Sequence, residues 1–271
     1  MPLMGSWADK AGVGTWMLLA LRFAMAAPIL WAIVLVRKER IPRGKVLLAL
    51  IGMGAVGYCA EASCFFFALK YIPSGLVSLL LYLYPGLVTL IAWLFLKEKL
   101  SQGKVIALVL AVIGSGLLLI PSLFGQSLGP EAWKGIVLGL VMAVSYALYI
   151  IAGAKFAKDA GPMVSSAIVV SSAAAVFVGV ALAKGEALPT SALGWKAAIS
   201  LSIFATVIGI TALLAGLARI GPVRTSTLSI MEPAVTVAVG VSLLSEKFSP
   251  WQWVGGACVL IAAIVIARAK A

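Results

Sequence analysis

Uninterrupted apolar runs of about 20 residues follow one another along this chain, separated by short charged connectors, and they leave it few ways to fold. About 20 helical residues cross a hydrocarbon core of about 30 Å, and such runs fill most of the 271 residues. Of these residues 63% are hydrophobic and 11% charged, whereas soluble domains carry about 25% charged residues. There is too little polar surface to face water, so lipid is the expected solvent, and no stretch of soluble composition remains for a second domain.

Nine spans are expected, at residues 14–36, 46–69, 73–96, 104–120, 135–157, 163–183, 196–217, 222–244 and 251–267. The runs lack the period-two alternation of a barrel strand, and a lipid-exposed backbone must satisfy its own hydrogen bonds, so the class is an all-α polytopic membrane protein. Fourteen Lys and Arg fall on one side of this layout, in the connectors around Arg37 to Lys45, Lys97 to Lys104, Lys155 and Lys158, Arg219 and Arg224, and in the tail with Arg268 and Lys270. Six fall on the other: Lys10, Lys70, Lys134, Lys184, Lys196 and Lys247. The positive-inside rule then puts the C-terminus in the cytoplasm and residue 1 outside. Trp16, Trp133, Trp195, Trp251 and Trp253 mark the outer edges and Trp31 and Trp93 the inner ones, as an interfacial belt requires.

Shifting the chain by 148 residues pairs 69–113 with 217–261 without a gap, matching Ser78 with Ser226, Pro85 with Pro233, Glu98-Lys99 with Glu246-Lys247 and Ser101 with Ser249. Leu and Ile matches are cheap in so apolar a chain, so the weight rests on these columns. The Glu-Lys turns fall on opposite sides of the membrane, which makes the two copies inverted repeats: 1–134, and 135–271. Inverted repeats suit carriers, whose exchangeable halves give inward-open and outward-open states. The shift also carries the span at 135–157 to positions before residue 1. The expected count is therefore ten helices with the first missing, through a start placed downstream, an absent segment, or a genuine nine-helix form. Residues 1–13 are too short and polar for a signal peptide.

Chemistry at depth comes from few residues. There is no histidine, and the only aspartates are Asp9 and Asp159, which removes His-based triads and the common zinc sites; no cofactor and no metal is expected. Cys59, Cys64 and Cys258 lie in apolar runs without CxxC spacing, as small buried residues. The net charge of +12 is spread over connectors, with no clustered groove, so topology explains it and no nucleic-acid partner is expected. Arg22, Glu61 and Glu232 lie inside spans, where a charge costs about 2.5–3.5 kcal/mol and faces a cavity or a partner. Arg22 and Glu61 sit at similar depth, either as a fixed ion pair or as part of a site. Glu232 precedes Pro233 in mid-span, and its repeat partner is Tyr84, preceding Pro85. Paired prolines in matching helices are either packing kinks or the helix breaks of a substrate site. Tyr58, Tyr82, Tyr84, Tyr146 and Tyr149 also occupy mid-span positions, and Tyr82 and Tyr84 adjoin the break. Gly135 and Gly139 have the GxxxG spacing of close helix packing.

Leu21-Arg22-Phe23, Tyr84-Pro85 followed by Ala92-Trp93-Leu94-Phe95-Leu96-Lys97-Glu98-Lys99-Leu100, and Met231-Glu232-Pro233 followed by Leu243-Leu244-Ser245-Glu246-Lys247-Phe248 resemble the EamA type of the drug/metabolite transporter superfamily. The resemblance covers nearly the whole chain. It implies two five-helix repeats, an inner-membrane carrier that often exports amino acids or related metabolites, and a central cavity. Glu61, Tyr82, Tyr84, Tyr146, Tyr149 and Glu232 would lie on the cavity helices and Arg22 on a peripheral one. The expected partners are a small-molecule substrate, the bilayer and, if a carboxylate cycles, protons. An intramembrane enzyme acting on a lipid-linked substrate is disfavoured, since only Glu61 and Glu232 offer acids at depth. A non-transporting membrane subunit is the remaining alternative.

Overall fold

The computed structural model describes residues 11–72, 74–97, 101–119, 129–232, 235 and 249–268. Among them there is no strand, and the helices are α1 (Thr15–Val36), α2 (Lys45–Ala68), α3 (Ser74–Leu81), α4 (Tyr84–Leu96), α5 (Gln102–Leu119), α6 (Ala132–Ala160), α7 (Pro162–Ala183), α8 (Ala192–Ile220), α9 (Pro222–Ser229) and α10 (Pro250–Arg268). Among the described residues six stretches are long and apolar enough to cross a membrane: α1, α2, Leu76–Leu96, α6, α7 and α8. Between 28% and 50% of each is buried inside the protein, and Leu35, Phe95 and Trp253 stand exposed. Helices this apolar on their outer faces are built for lipid. The chain is an all-α, multi-pass membrane protein.

Two local features interrupt the expected spans. The span at 73–96 is two helices: α3 ends at Leu81, Tyr82 and Leu83 form a turn, and α4 restarts at Tyr84 with Pro85 in its first turn, where a missing N–H costs nothing. Inside α2 and α8 the ladder widens to π-helical pairing, over Met53–Tyr58 and Leu201–Ile208. A π turn carries an extra residue and loosens the helix locally. The helix starts at Pro162 and Pro222 each follow a glycine at φ +82°, Gly161 and Gly221, a backbone setting that a Cβ would strain.

Advancing 148 positions from α3 gives 222–229, the bounds of α9; from α5 it gives 250–267, where α10 runs Pro250–Arg268; from α1 it gives 163–184, where α7 runs Pro162–Ala183. The turn at Tyr82-Leu83 lands on Ile230-Met231, of which Ile230 is the turn that ends α9 and Met231 is helical again. Pro233 and the Glu98-Lys99 and Glu246-Lys247 turns lie outside the described residues.

The chain forms two compact units, Met1–Cys59 with Ala152–Arg219, and Ala60–Ile151 with Ile220–Ala271. In the first, α1 lies along α7, α1 also packs on the π segment of α8, and α7 packs on the π segment of α2. Phe23 stacks on Phe177 at 5.4 Å, and Trp31 donates from Nε1 to Ser171 Oγ at 2.9 Å. The N-terminus of α1 has no capping side chain of its own at Gly14; the Glu186 carboxylate accepts from the Met17 amide at 2.6 Å. An anion there satisfies an orphan amide and faces the positive end of the helix dipole. Glu186→Ala is expected to destabilise by about 1 kcal/mol, read as a fall in melting temperature in detergent.

In the second unit α5 lies along α10, α9 packs on α4, α5 and α10, and α3 on α5. Ala111, Leu118, Ile230, Val259 and Ala262 form one core cluster; Ala68, Ile72, Val77, Ala132 and Met142 form another. Close approach of α5 to α10 depends on glycine: a Cβ on Gly255 would lie 2.7 Å from the Gly114 carbonyl oxygen.

Candidate functional site

The second unit gathers most of the residues singled out from the sequence. Tyr84, 3% exposed, is the first residue of α4 after the break, and its hydroxyl donates to the Ser226 carbonyl on α9 at 3.3 Å. Its ring meets Tyr146 of α6 edge-on at 4.6 Å, and Tyr146 lies parallel to Tyr149 at 6.0 Å. Glu232, just past the matching end of α9, is exposed. Thr89 returns its hydroxyl to the Pro85 carbonyl at 2.7 Å, occupying an acceptor near the break. Tyr84, with Tyr146 and Tyr149 beyond it, thus stands at the interruption that Tyr82 opens, and Glu232 follows the matching end of α9. Tyr84→Phe removes the donor to Ser226 and is expected to cost about 1 kcal/mol, measured as a lower melting temperature.

Sequence reasoning missed the character of α9. Five of its eight residues, Arg224, Thr225, Ser226, Thr227 and Ser229, are polar. Thr225 Oγ1 donates to Gly221 O at 2.7 Å, Thr227 Oγ1 to Val223 O at 2.8 Å and Ser229 Oγ to Thr225 O at 2.9 Å. Hydroxyls that back-bond in this way need no partner on another helix and bend the one they sit on. The signal was in the sequence as a hydroxyl run at the start of an apolar span.

Glu61 lies on α2 in this same unit, one turn before Cys64. Arg22 belongs to the first unit. Arg22 is 7% exposed. Its Nε donates to Thr206 Oγ1 at 2.7 Å, and Nη2 to Tyr58 Oη at 3.1 Å and to the Ala205 carbonyl at 3.4 Å. These hydrogen bonds to a charged group, each worth roughly 1.5–3 kcal/mol, offset the cost of burying it. Among the described residues no group of three or more His, Cys, Asp or Glu gathers to hold a metal ion.

The sequence profile of the EamA-like transporter family matches this chain twice, at residues 3–120 and 133–268. The chain is 27% identical to the "Uncharacterized inner membrane transporter YedA" of Escherichia coli (strain K12), over 96% of this chain and 85% of that protein. It is 28% identical to the "Threonine/homoserine exporter RhtA" of the same strain, over 86% of this chain and 75% of that one. It is 25% identical to the "Uncharacterized transporter YyaM" of Bacillus subtilis, over 89% and 81% respectively. A crystal structure of a protein 22% identical superposes at a TM-score of 0.85, covering 97% of this chain and 90% of the other, a likeness of fold.

Proposed function

The chain belongs to the EamA-like transporter family, and from that premise we propose that it carries a small metabolite, such as an amino acid or related compound, outward across the inner membrane by alternating access. The two copies, 1–134 and 135–271, are read as inverted halves that rock about a site at their helix breaks, with the C-terminus in the cytoplasm. The observation that carries this reading is the pair of interruptions at matching places, Tyr82-Leu83 and Ile230, with Tyr84 bonded to α9 through Ser226. Broken helices at corresponding positions of two halves free backbone groups where a polar solute passes. Tyr82, Tyr84, Tyr146 and Tyr149 would line the site, Pro85 and Pro233 would fix the breaks, and Glu232 and Glu61 would bind substrate or cycle a proton. Exposure of Glu232 supports this role, because a carboxylate at membrane depth needs water or a partner. An amino acid is favoured by similarity to RhtA, whose name gives threonine and homoserine.

The test is efflux of labelled threonine and homoserine from vesicles reconstituted with the purified protein. Saturable flux above protein-free vesicles supports the proposal; lipid turnover with no flux of these or other small metabolites would replace it with an enzyme.

A further inference from the structure

We propose that Arg22 is a positioning residue that pins together the two π turns of the first unit, linking matching points of the two repeats through one side chain. The π segments occupy equivalent places: Met53–Tyr58 advanced by 148 becomes 201–206, the start of the segment Leu201–Ile208. Within them Tyr58 maps onto Thr206, and these are the two hydroxyl residues to which the Arg22 guanidinium donates, at 3.1 and 2.7 Å. Points exchanged by a pseudo-two-fold lie equally far from its axis, so a group bonded to both sits beside that axis. The inference therefore rests on the reading of the chain as inverted repeats.

The pin is single. Arg22 advanced by 148 is Val170, a fully buried aliphatic residue on α7. A second arginine would bring a second buried cation to the same place, whereas one fork with donors in two directions serves both turns. Lysine, with one point of charge, cannot reproduce that fork. The connection continues into the π backbone, since Thr206 Oγ1 accepts from Arg22 Nε and donates to Leu201 O, five residues earlier, at 3.2 Å. Arg22 Nη2 also reaches the Ala205 carbonyl within the same segment. Phe23 closes the other side, edge-on to the Tyr58 ring at 5.0 Å and 5.1 Å beneath the guanidinium carbon.

A π turn is where a helix yields, because its pairing is looser than that of the α ladder on either side. Two such turns tied to one guanidinium cannot loosen independently. In a carrier whose halves exchange conformations, this coupling makes a change at one repeat's helix felt at the other's.

Hydrogen–deuterium exchange of the full-length protein in lipid nanodiscs tests the link without any substrate. Thr206→Val is expected to raise uptake about threefold in peptides covering 201–208 and also in those covering 53–58, although Thr206 lies in the other repeat. Thr206→Ser, which keeps the hydroxyl, is expected to restore both. Increased uptake confined to 201–208 would overturn the proposal, as would a Thr206→Ser protein that behaves like the valine variant. If Thr206→Val does not give monodisperse protein, Tyr58→Phe reads the same link in reverse, through uptake at 201–208, and no change there overturns it. Failure of threonine efflux leaves this exchange result standing, so the two readings fail separately.

Discussion

If the proposed efflux of an amino acid runs through Glu232, replacing it by glutamine is expected to slow that efflux about tenfold or more and to flatten any dependence on pH. The amide keeps the size and shape of the side chain at the end of α9 but can neither pair with a cation nor exchange a proton. Because Glu232 is exposed, the substitution leaves no cavity and no buried orphan, and protein yield and melting temperature should be close to those of the parent. The change should therefore fall on flux and not on the amount of folded protein. Glu61→Gln, tested in parallel, assigns the second acid: if both variants transport at the parental rate with the parental pH response, neither carboxylate binds or couples.

The second large effect is structural. Gly54→Val is expected to abolish monodisperse protein, or to lower stability by about 3 kcal/mol where some survives, read from detergent-extracted yield and thermal unfolding. Gly54 lies in the π segment of α2 against α7, and a Cβ there would overlap the Val169 carbonyl and the Ser172 hydroxyl oxygen. The carbonyl is backbone and cannot swing aside, so the two helices would have to separate, losing the packing that holds them together in lipid, where no hydrophobic effect drives helices together. Gly52, two residues earlier, meets nothing within 4 Å. Gly52→Val is thus the control, and its smaller effect would show that the loss at Gly54 comes from the close approach.

Much of the candidate site was legible before any coordinates. Pro85 announced a helix interruption because proline has no amide to donate, and α4 restarts one residue before it. Glu232 and Arg22 stood out because charge is costly in an apolar run. The π turns were not legible: Met53–Tyr58 reads as ordinary helix in the sequence, and the close approach of α7 at Gly54 is seen only in the packing. Thr206 passed unnoticed because one threonine in a span carries no signal alone. Placing it beneath Tyr58 in the repeat register would have shown the shared column, though not the arginine that reaches both.

The sequence by itself determined that this chain is a helical, multi-pass membrane protein, and it marked Pro85 as a place where a span is disturbed. Those properties follow from hydrophobic run length and from the covalent peculiarities of proline, which act wherever the chain goes. Only the tertiary structure decided that Arg22 is answered by Tyr58, Thr206 and the Ala205 carbonyl, and that Tyr84 reaches Ser226. Partner choice depends on helix rotation and separation, and a uniformly apolar helix has no polar face to fix either one. Close packing at small residues settles them.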